Sequence, residues 1–211
     1  MNLFSYLLDA ILPPHEDVRR ARLLSPEKLA ALVSPRAAAL PWITALLPYR
    51  EAHVRALIRA IKYHGETRAL TGVGEYLGEY LIESIAEKRL LDGWGVPLLI
   101  AIPSSARKLR ARGYNQAERI LEAALPALGG AGLAAPRVLA REERQSQVEV
   151  LRAERAANIH GAFFVPDSRA VRGKEIILID DVTESGATLA DARRALLSAG
   201  ARDVIAVALA H

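Results

Sequence analysis

The chain contains no cysteine among its 211 residues. This absence excludes a disulfide framework, a thiolate zinc site, an iron–sulfur cluster and a cysteine nucleophile. Long hydrophobic runs are also missing, since none approaches the ~20 residues needed to span a bilayer. Residues 1–5 lack the basic stretch that opens a secretory signal. We therefore expect a cytoplasmic protein that is not inserted in a membrane.

Aromatic residues are scarce as well, at 5% of the sequence, which weakens any function based on stacking nucleic-acid bases. Hydrophobic residues make up 51% and charged residues 25%, so the chain has enough apolar material for a full core and is not intrinsically disordered. At ~150 residues per domain, the length suits one domain, or one domain with a small appendage.

The net charge of +4 is concentrated in one stretch. Residues 105–120 carry five basic side chains and one acidic side chain, which accounts for the whole excess. A local basic segment on a near-neutral body favours a site for phosphate or another anion. The alternative is a solvated basic helix face, and composition leaves both open.

The periodicity of apolar residues changes near residue 95. Before that point it predicts helices at 3–12, 25–33, 50–63 and 67–89. After it, apolar runs at 97–102, 176–179 and 204–209 are typical of strands buried on both faces, and 162–165 predicts one further short strand. Amphipathic helices follow the first two runs. The order predicts an α/β fold with a parallel sheet flanked by helices.

An acidic pair, Asp180 and Asp181, follows the strand that ends at residue 179. A Ser-Gly-Ala-Thr turn then opens a helix. Ligands of open α/β sheets bind beyond the carboxyl ends of strands. The free N–H groups of the helix, with the hydroxyls of Ser185 and Thr188, suit a phosphate, and the carboxylates suit hydroxyls or Mg²⁺. This predicts a ribose 5-phosphate ligand; the alternative is that these residues only cap the strand and the helix.

The segment Asp180-Asp181-Val182-x-x-Ser185-Gly186-Ala187-Thr188 resembles the PRPP-binding motif of type I phosphoribosyltransferases (PRPP is 5-phosphoribosyl 1-pyrophosphate). The resemblance implies that the two aspartates bind the ribose hydroxyls, and Mg²⁺ through PRPP, and that the 5-phosphate is bound by Ser185, Gly186, Ala187 and Thr188. The sequence departs from the motif at Thr183 and Glu184. Glu184 is a candidate general base, or a solvent-facing residue in a site that does not react, and both remain open.

The basic residues lie in a predicted loop at 103–114, before a helix that begins at Asn115 with capping-box spacing to Glu118. The same resemblance implies that this loop binds pyrophosphate; nucleic acid is the other candidate ligand. The candidate binding residues are Ser104, Ser105, Arg107, Lys108, Arg110 and Arg112. Because surface charges are usually solvated, we expect about half of the arginines to face water only.

The segment Arg112-Gly113-Tyr114-Asn115-Gln116 resembles a signature of the ComF competence proteins, whose phosphoribosyltransferase-like fold is then implied for about 50–211. Three further segments agree: Lys62-Tyr63-x-Gly65, Gln145-x-Gln147 through Arg155-x-x-Asn158, and Gly161-Ala162-Phe163. Many ComF proteins carry a Cys-rich zinc segment near the N-terminus. Here 15–49 has no cysteine and only one histidine, His15, so no zinc is expected. We predict a helical region at 1–49 and an α/β domain at 50–211.

The polar segment 145–155 lies where type I enzymes have a mobile loop, or hood, over the site. The candidates to contact a ligand from this hood are Arg144, Gln145, Gln147 and Arg155. An exposed helix with ion pairs one turn apart is the alternative interpretation.

The resemblance implies a phosphoribosyltransferase-type protein that binds PRPP and Mg²⁺ and is linked to DNA uptake in natural transformation. The alternative is a competence protein that binds single-stranded DNA or a nucleotide without catalysis, with other DNA-uptake proteins as partners. A PRPP-sensing regulator is a third hypothesis. If the chain is an enzyme, it is a glycosyltransferase of this type; no oligomeric state is assigned.

Overall fold

The computed structural model describes residues 15–24, 26–31, 36–37, 40–142 and 161–211. In chain order its strands are β1 (Arg36–Ala37), β2 (Ile43–Leu47), β3 (Leu98–Ala101), β4 (Leu133–Ala134), β5 (Ala140–Arg141), β6 (Phe163–Phe164), β7 (Glu175–Val182) and β8 (Asp203–Ala210). Six of them form one sheet in the order β1-β2-β8-β7-β3-β4, which is parallel except for β1. The predicted parallel sheet is confirmed.

The helices flank this sheet. In chain order they are α1 (Glu16–Ala21), α2 (Pro26–Ala31), α3 (Ala52–His64), α4 (Thr67–Asp92), α5 (Ala106–Arg112), α6 (Gln116–Leu128) and α7 (Ala187–Ser198). Glycines on α4 allow α4 and α6 to pack closely: a Cβ at Gly74 would lie 2.3 Å from the carbonyl oxygen of Ala123. Within the described ranges, none of these helices has both the length and the apolar character of a membrane span.

Strand β7 is buried on both faces, and its side chains alternate between two hydrophobic clusters. Ile177 and Ile179 belong to the cluster formed with α3, α4 and α6. Ile176 and Leu178 belong to the cluster formed with α7. The run of this strand is continuously apolar because helices cover both faces of the parallel sheet, so side chains on both faces are buried.

The first strands correct the prediction for the N-terminal region. Strands β1 and β2 lie within 1–49, where only helices were predicted, and β2 pairs with β8 in the register Ile43↔Ala206. The helical prediction is wrong there because a short apolar run has no periodicity that distinguishes a buried strand from a buried helix. The helices predicted at 25–33, 50–63 and 67–89 are confirmed as α2, α3 and α4, whereas 3–12 lies outside the described residues.

Two predictions beyond residue 95 are also revised. The predicted loop 103–114 contains α5, a helix that Ser105 begins by accepting the N–H of Lys108 (3.4 Å) and that Gly113 ends with φ 80°. Its alanine, arginine and lysine residues favour helix. The predicted strand at 162–165 is β6, but it pairs with β5 in a separate antiparallel sheet.

Candidate functional site

A polar cavity of about 150 Å³ opens at the carboxyl ends of β3 and β7. Residues from both loops predicted to bind ligand line it, together with residues from elsewhere. Its acidic residues are Asp180 and Asp181, its cationic residues Lys108, Arg112 and Arg141, and its neutral polar residues Ser104, Asn115, Gln116 and Thr188. Among the described residues, two carboxylates thus share a small cavity with three cations, an arrangement that suits a ligand carrying both hydroxyl and phosphate groups.

The acidic pair is held by the backbone and by one lysine. The N–H of Asp181 donates to Oδ1 of Asp180 (2.8 Å), and the N–H of Val182 donates to Oδ1 of Asp181 (2.7 Å). Nζ of Lys62, from the last turn of α3, lies 2.7 Å from Oδ2 of Asp181. Because β7 continues to Val182, the pair sits on the end of a rigid strand. The side chains are therefore positioned before any ligand arrives.

The two carboxylates differ in their surroundings. Burial raises the pKa of Asp180 to about 7, and the charge of Asp181 adds to this effect, while Lys62 opposes it. Asp181 has the ammonium group of Lys62 as its direct partner. Asp180 therefore exchanges a proton near neutral pH, and a cation or hydroxyl donor bound beside it favours its ionised form.

The turn after the pair depends on a glycine. Gly186 has φ 75°, and a Cβ there would lie 2.8 Å from Cδ1 of Ile43, so β2 packs directly under the turn. Ala187 is the first residue of α7, and Thr188 lines the cavity. Glu184 and Ser185 are exposed and do not line it; the roles suggested for them remain predictions.

The basic candidates divide into two groups. Lys108 and Arg112 line the cavity, as does Ser104. Arg107 and Arg110 are exposed outside it. Ser105 is the cap of α5 and does not line the cavity. Helix geometry explains the division, since residues four apart lie on one face and their neighbours point away.

Sequence reasoning missed four site residues, namely Lys62, Arg141, Asn115 and Gln116. Lys62 belongs to a segment whose only signal in the sequence is its resemblance to the ComF proteins. Arg141 comes from β5, with its guanidinium 5.3 Å from the ring centre of Phe163. Asn115 was identified as a helix cap. Its Nδ2 donates to the carbonyl of Ile102 (3.0 Å) and its Oδ1 accepts from the hydroxyl of Ser104 (3.1 Å), so it ties the loop to the sheet.

Gln116 carries a buried hydrogen-bond donor that has no acceptor within the part of the chain that the structure describes. The residue is 3% exposed and lines the cavity. Its Oε1 accepts from Nη1 of Arg112 (2.8 Å), whereas its Nε2 has no partner among the described residues. An unpaired buried donor costs about 1–3 kcal/mol. A ligand acceptor at this point would remove that cost.

The hood candidates Arg144, Gln145, Gln147 and Arg155 lie outside the described residues. The segment that follows them is anchored to α7. Asp191 of α7 is 2% exposed and accepts the N–H groups of Gly161 (2.8 Å), Ala162 (2.8 Å) and Phe163 (3.3 Å). Burial acts to raise the pKa of this carboxyl, but the N–H of Gly161, the pair with Arg194 and the N–H of Ala162 lower it below its ordinary value.

The sequence matches known proteins along most of its length. The family described as "Phosphoribosyl transferase domain" matches residues 25–211. The competence protein ComFC of Streptococcus pneumoniae (strain ATCC BAA-255 / R6) is 32% identical over 105 residues, which are 50% of this chain and 44% of ComFC. The resemblance to the ComF proteins is confirmed over that matched part.

Solved structures show a partial likeness. A hypoxanthine phosphoribosyltransferase from Staphylococcus aureus is 14% identical, with a TM-score of 0.41, over 66% of this chain and 61% of that chain. The hypoxanthine phosphoribosyl transferase of Trypanosoma cruzi is 12% identical, with a TM-score of 0.43, over 66% and 65%. The chain spans less than two thirds of the length of these relatives, and 44% of the length of ComFC.

Proposed function

Because this chain belongs to the phosphoribosyl transferase domain family, we propose that it binds PRPP with Mg²⁺ in the cavity at the carboxyl ends of β3 and β7. The observation that carries the proposal is the convergence of two carboxylates and three cations on one cavity. PRPP has the matching groups, since it carries ribose hydroxyls between a 5-phosphate and a pyrophosphate.

The acidic pair is the proposed ribose site. Asp180 and Asp181 lie at the end of β7 with their carboxylates in the cavity, where they accept hydrogen bonds from the two ribose hydroxyls. Charge-assisted hydrogen bonds of this kind are among the stronger ones in proteins. The same oxygens fit Mg²⁺, which is usually held by one or two carboxylates together with substrate phosphates and water. When bound, the ion neutralises phosphate charge.

The N-terminus of α7 is the proposed 5-phosphate site. Its N-cap, Gly186, has no capping side chain, and its first turn has no acidic residue. The N–H of Ala187 donates weakly to Oγ of Ser185 (3.4 Å), and the N–H groups that follow it are available to an anion, which the helix dipole favours there. Thr188 adds a hydroxyl on the cavity side.

The cations of the cavity are the proposed pyrophosphate site. Lys108 and Arg112 come from α5, and Arg141 comes from β5, so cations from two separate elements would contact the same anion. Their charges would also stabilise the negative charge that develops on pyrophosphate if it leaves. The likeness to the competence protein ComFC supports the further proposal that this PRPP site serves DNA uptake.

A second candidate function is binding of single-stranded DNA, and Tyr63 is the observation that favours it. Its side chain is 64% exposed, and the guanidinium of Arg112 lies 5.3 Å from its ring centre. Arg107 and Arg110 continue the positive charge along the outside of α5. An exposed ring beside a row of cations suits stacked bases and their phosphates.

Two matched double variants of α5 separate the candidates. Lys108→Ala/Arg112→Ala removes the cavity cations, and Arg107→Ala/Arg110→Ala removes two cations from the outer surface of the same helix. We expect the first pair to weaken Mg·PRPP binding at least about 100-fold, since each charged hydrogen bond contributes about 1.5–3 kcal/mol, and the second pair to leave it unchanged. Calorimetric titration with PRPP and Mg²⁺ measures both.

The same proteins are then titrated with single-stranded DNA at several salt concentrations. If DNA binds along the outer surface of α5, Arg107→Ala/Arg110→Ala makes the slope of log K against log salt concentration shallower by about 1.4, at ~0.7 for each lost phosphate contact. A slope that neither pair changes would exclude α5 from DNA binding. Equal PRPP affinities for the two pairs would contradict the pyrophosphate assignment.

Gln116→Leu tests the unpaired donor of the cavity. We expect PRPP affinity to fall about tenfold, because an acceptor atom of the ligand would lose its hydrogen bond from Nε2 of Gln116. The free energy of unfolding should change by less than about 1 kcal/mol, since removal of a buried unpaired donor offsets the lost Arg112 contact. Calorimetry and urea denaturation measure the two quantities.

The control for this variant is Glu122→Leu, an exposed position on the same helix α6. It should leave PRPP affinity unchanged. If Gln116→Leu binds PRPP as tightly as the unchanged chain, the donor has no role toward the ligand.

A further inference from the structure

A cluster of metal-ligand side chains lies outside the PRPP cavity, where α1 meets the end of α3. It consists of His15, Asp17 and His64, and one ligand atom from each lies within 4.8 Å of the other two. The two imidazole rings stack, with centroids 4.8 Å apart and an interplanar angle of 23°. Their convergence is purely tertiary, since His15 caps α1 and His64 is the last residue of α3.

Metal binding must displace one contact of His15. The N–H of Asp17 donates to Nδ1 of His15 (3.2 Å), and a metal ion at that nitrogen would take the lone pair that accepts this hydrogen bond. Oδ2 of Asp17 lies 3.5 Å from the same nitrogen. In a tetrahedral site with bonds of ~2.0–2.1 Å, neighbouring ligand atoms lie about 3.4 Å apart. The pair thus has close to the spacing of two ligands, and the exposed side chain of His64 stacks on the ring of His15, with its ligand atom within 4.8 Å of the other two.

We propose that His15, Asp17 and His64 form a binding site for a divalent transition-metal ion of the zinc type. Imidazole nitrogen and carboxylate oxygen are ligands that Zn²⁺ accepts, and three protein ligands with water as the fourth complete a tetrahedral shell. The expectation that no zinc binds follows from the absence of cysteine and the single histidine of residues 15–49. The proposed site differs from that case because its second histidine, His64, comes from a different part of the chain.

The site would join α1 to α3, the helix whose Lys62 contacts Asp181 at the PRPP cavity. Lys62 lies two residues before His64 and contacts Asp181 at 2.7 Å. Arg22 already links the end of α1 to Glu66, just beyond α3, through Nε and Oε1 at 3.2 Å. A metal ion at the other end of α1 would therefore fix this short helix at both ends against the turn that follows Lys62.

Calorimetric titration of the metal-free chain with Zn²⁺ tests the site. The variants are His15→Ala, His64→Ala and Asp17→Asn, and the matched control is His53→Ala, an exposed histidine on α3. We expect one ion per chain, and a loss of at least about 100-fold in Zn²⁺ affinity for either His15→Ala or His64→Ala. Substituting a residue that only contacts a metal ligand already lowers metal affinity 10–100-fold. His53→Ala should bind as the unchanged chain does. No saturable binding, or wild-type affinity in either His15→Ala or His64→Ala, would overturn the proposal.

Thermal unfolding provides a second readout. At a Zn²⁺ concentration about 100 times the Kd, Tm should rise by about 5–10 °C in the unchanged chain and in His53→Ala. The increase should disappear in both His15→Ala and His64→Ala. Since both histidines are exposed, these variants are expected to fold without metal, which circular dichroism checks. A Tm that Zn²⁺ leaves unchanged in the folded chain would also contradict the site.

Discussion

Asp180→Asn/Asp181→Asn is expected to reduce the affinity for Mg·PRPP at least about 100-fold. Each carboxylate is proposed to accept a charge-assisted hydrogen bond from a ribose hydroxyl, and such bonds contribute about 1.5–3 kcal/mol each. The amide side chains keep the shape of the aspartates but lose the charge that attracts Mg²⁺. Calorimetric titration with PRPP in the presence of Mg²⁺ measures the loss.

The double variant should remain folded. The raised pKa of Asp180, about 7, means that the native state favours the protonated carboxyl. The free energy of unfolding contributed by this group therefore falls as the pH rises from about 4 to about 7. Above pH 7 an uncharged asparagine at 180 removes an unfavourable buried charge, which offsets loss of the contact between Lys62 and Asp181.

Asp203→Asn is the matched control for the acidic pair. Asp203 begins β8 and accepts the N–H of its following residue at 2.8 Å, as Asp180 does, but it lies at the amino ends of the strands, opposite the cavity. Its substitution should leave PRPP affinity unchanged. If the unchanged chain shows no PRPP binding at all, or if the double variant binds as well as Asp203→Asn, the PRPP assignment is wrong.

Asp191→Ala is expected to lower the free energy of unfolding by about 4 kcal/mol. The variant leaves the N–H groups of Gly161, Ala162 and Phe163 without their acceptor, and those of Ala162 and Phe163 belong to buried residues. It also removes the partner of Arg194. Each buried N–H left without an acceptor costs about 1–3 kcal/mol, whereas the pair with Arg194, whose side chain is half exposed, contributes little. Urea denaturation at neutral pH measures the change.

The pH dependence of this contribution has a definite sign. The pKa of Asp191 is lowered in the folded protein, so its stabilisation is fully present above the unfolded value, about 3.9. It is lost as the pH falls through the folded value. The difference in stability between the unchanged chain and Asp191→Ala should therefore shrink below about pH 4.

Asp167→Ala serves as the control for Asp191→Ala. Asp167 also pairs with an arginine, Arg169, but on the exposed surface. Exposed ion pairs contribute little, so the expected loss is much smaller than that of Asp191→Ala and comes from the N–H of Arg169, which Asp167 also accepts (3.0 Å). A loss for Asp191→Ala no larger than that for Asp167→Ala would show that the carboxylate does not anchor the segment beginning at Gly161.

The sequence by itself determined the elements whose signals are local. The run that ends at residue 179 predicted a strand buried on both faces, and β7 contacts hydrophobic clusters on both. The segment from Asp180 to Thr188 identified a candidate ligand site because carboxylates, glycine and hydroxyls follow one another along the chain. Asn115 was recognised as a helix cap for the same reason, since a cap acts within a few residues.

Only the tertiary structure decided which distant residues join these elements. It pairs β2 with β8, places Lys62 against Asp181, and makes Arg141 part of the cavity lining. It also brings His64 to His15. Propensity, capping and hydrophobic periodicity act over a few residues, whereas these contacts arise from packing two helical layers on a sheet. The local signals can therefore be read directly along the sequence, whereas the contacts between distant residues become visible only in the folded structure.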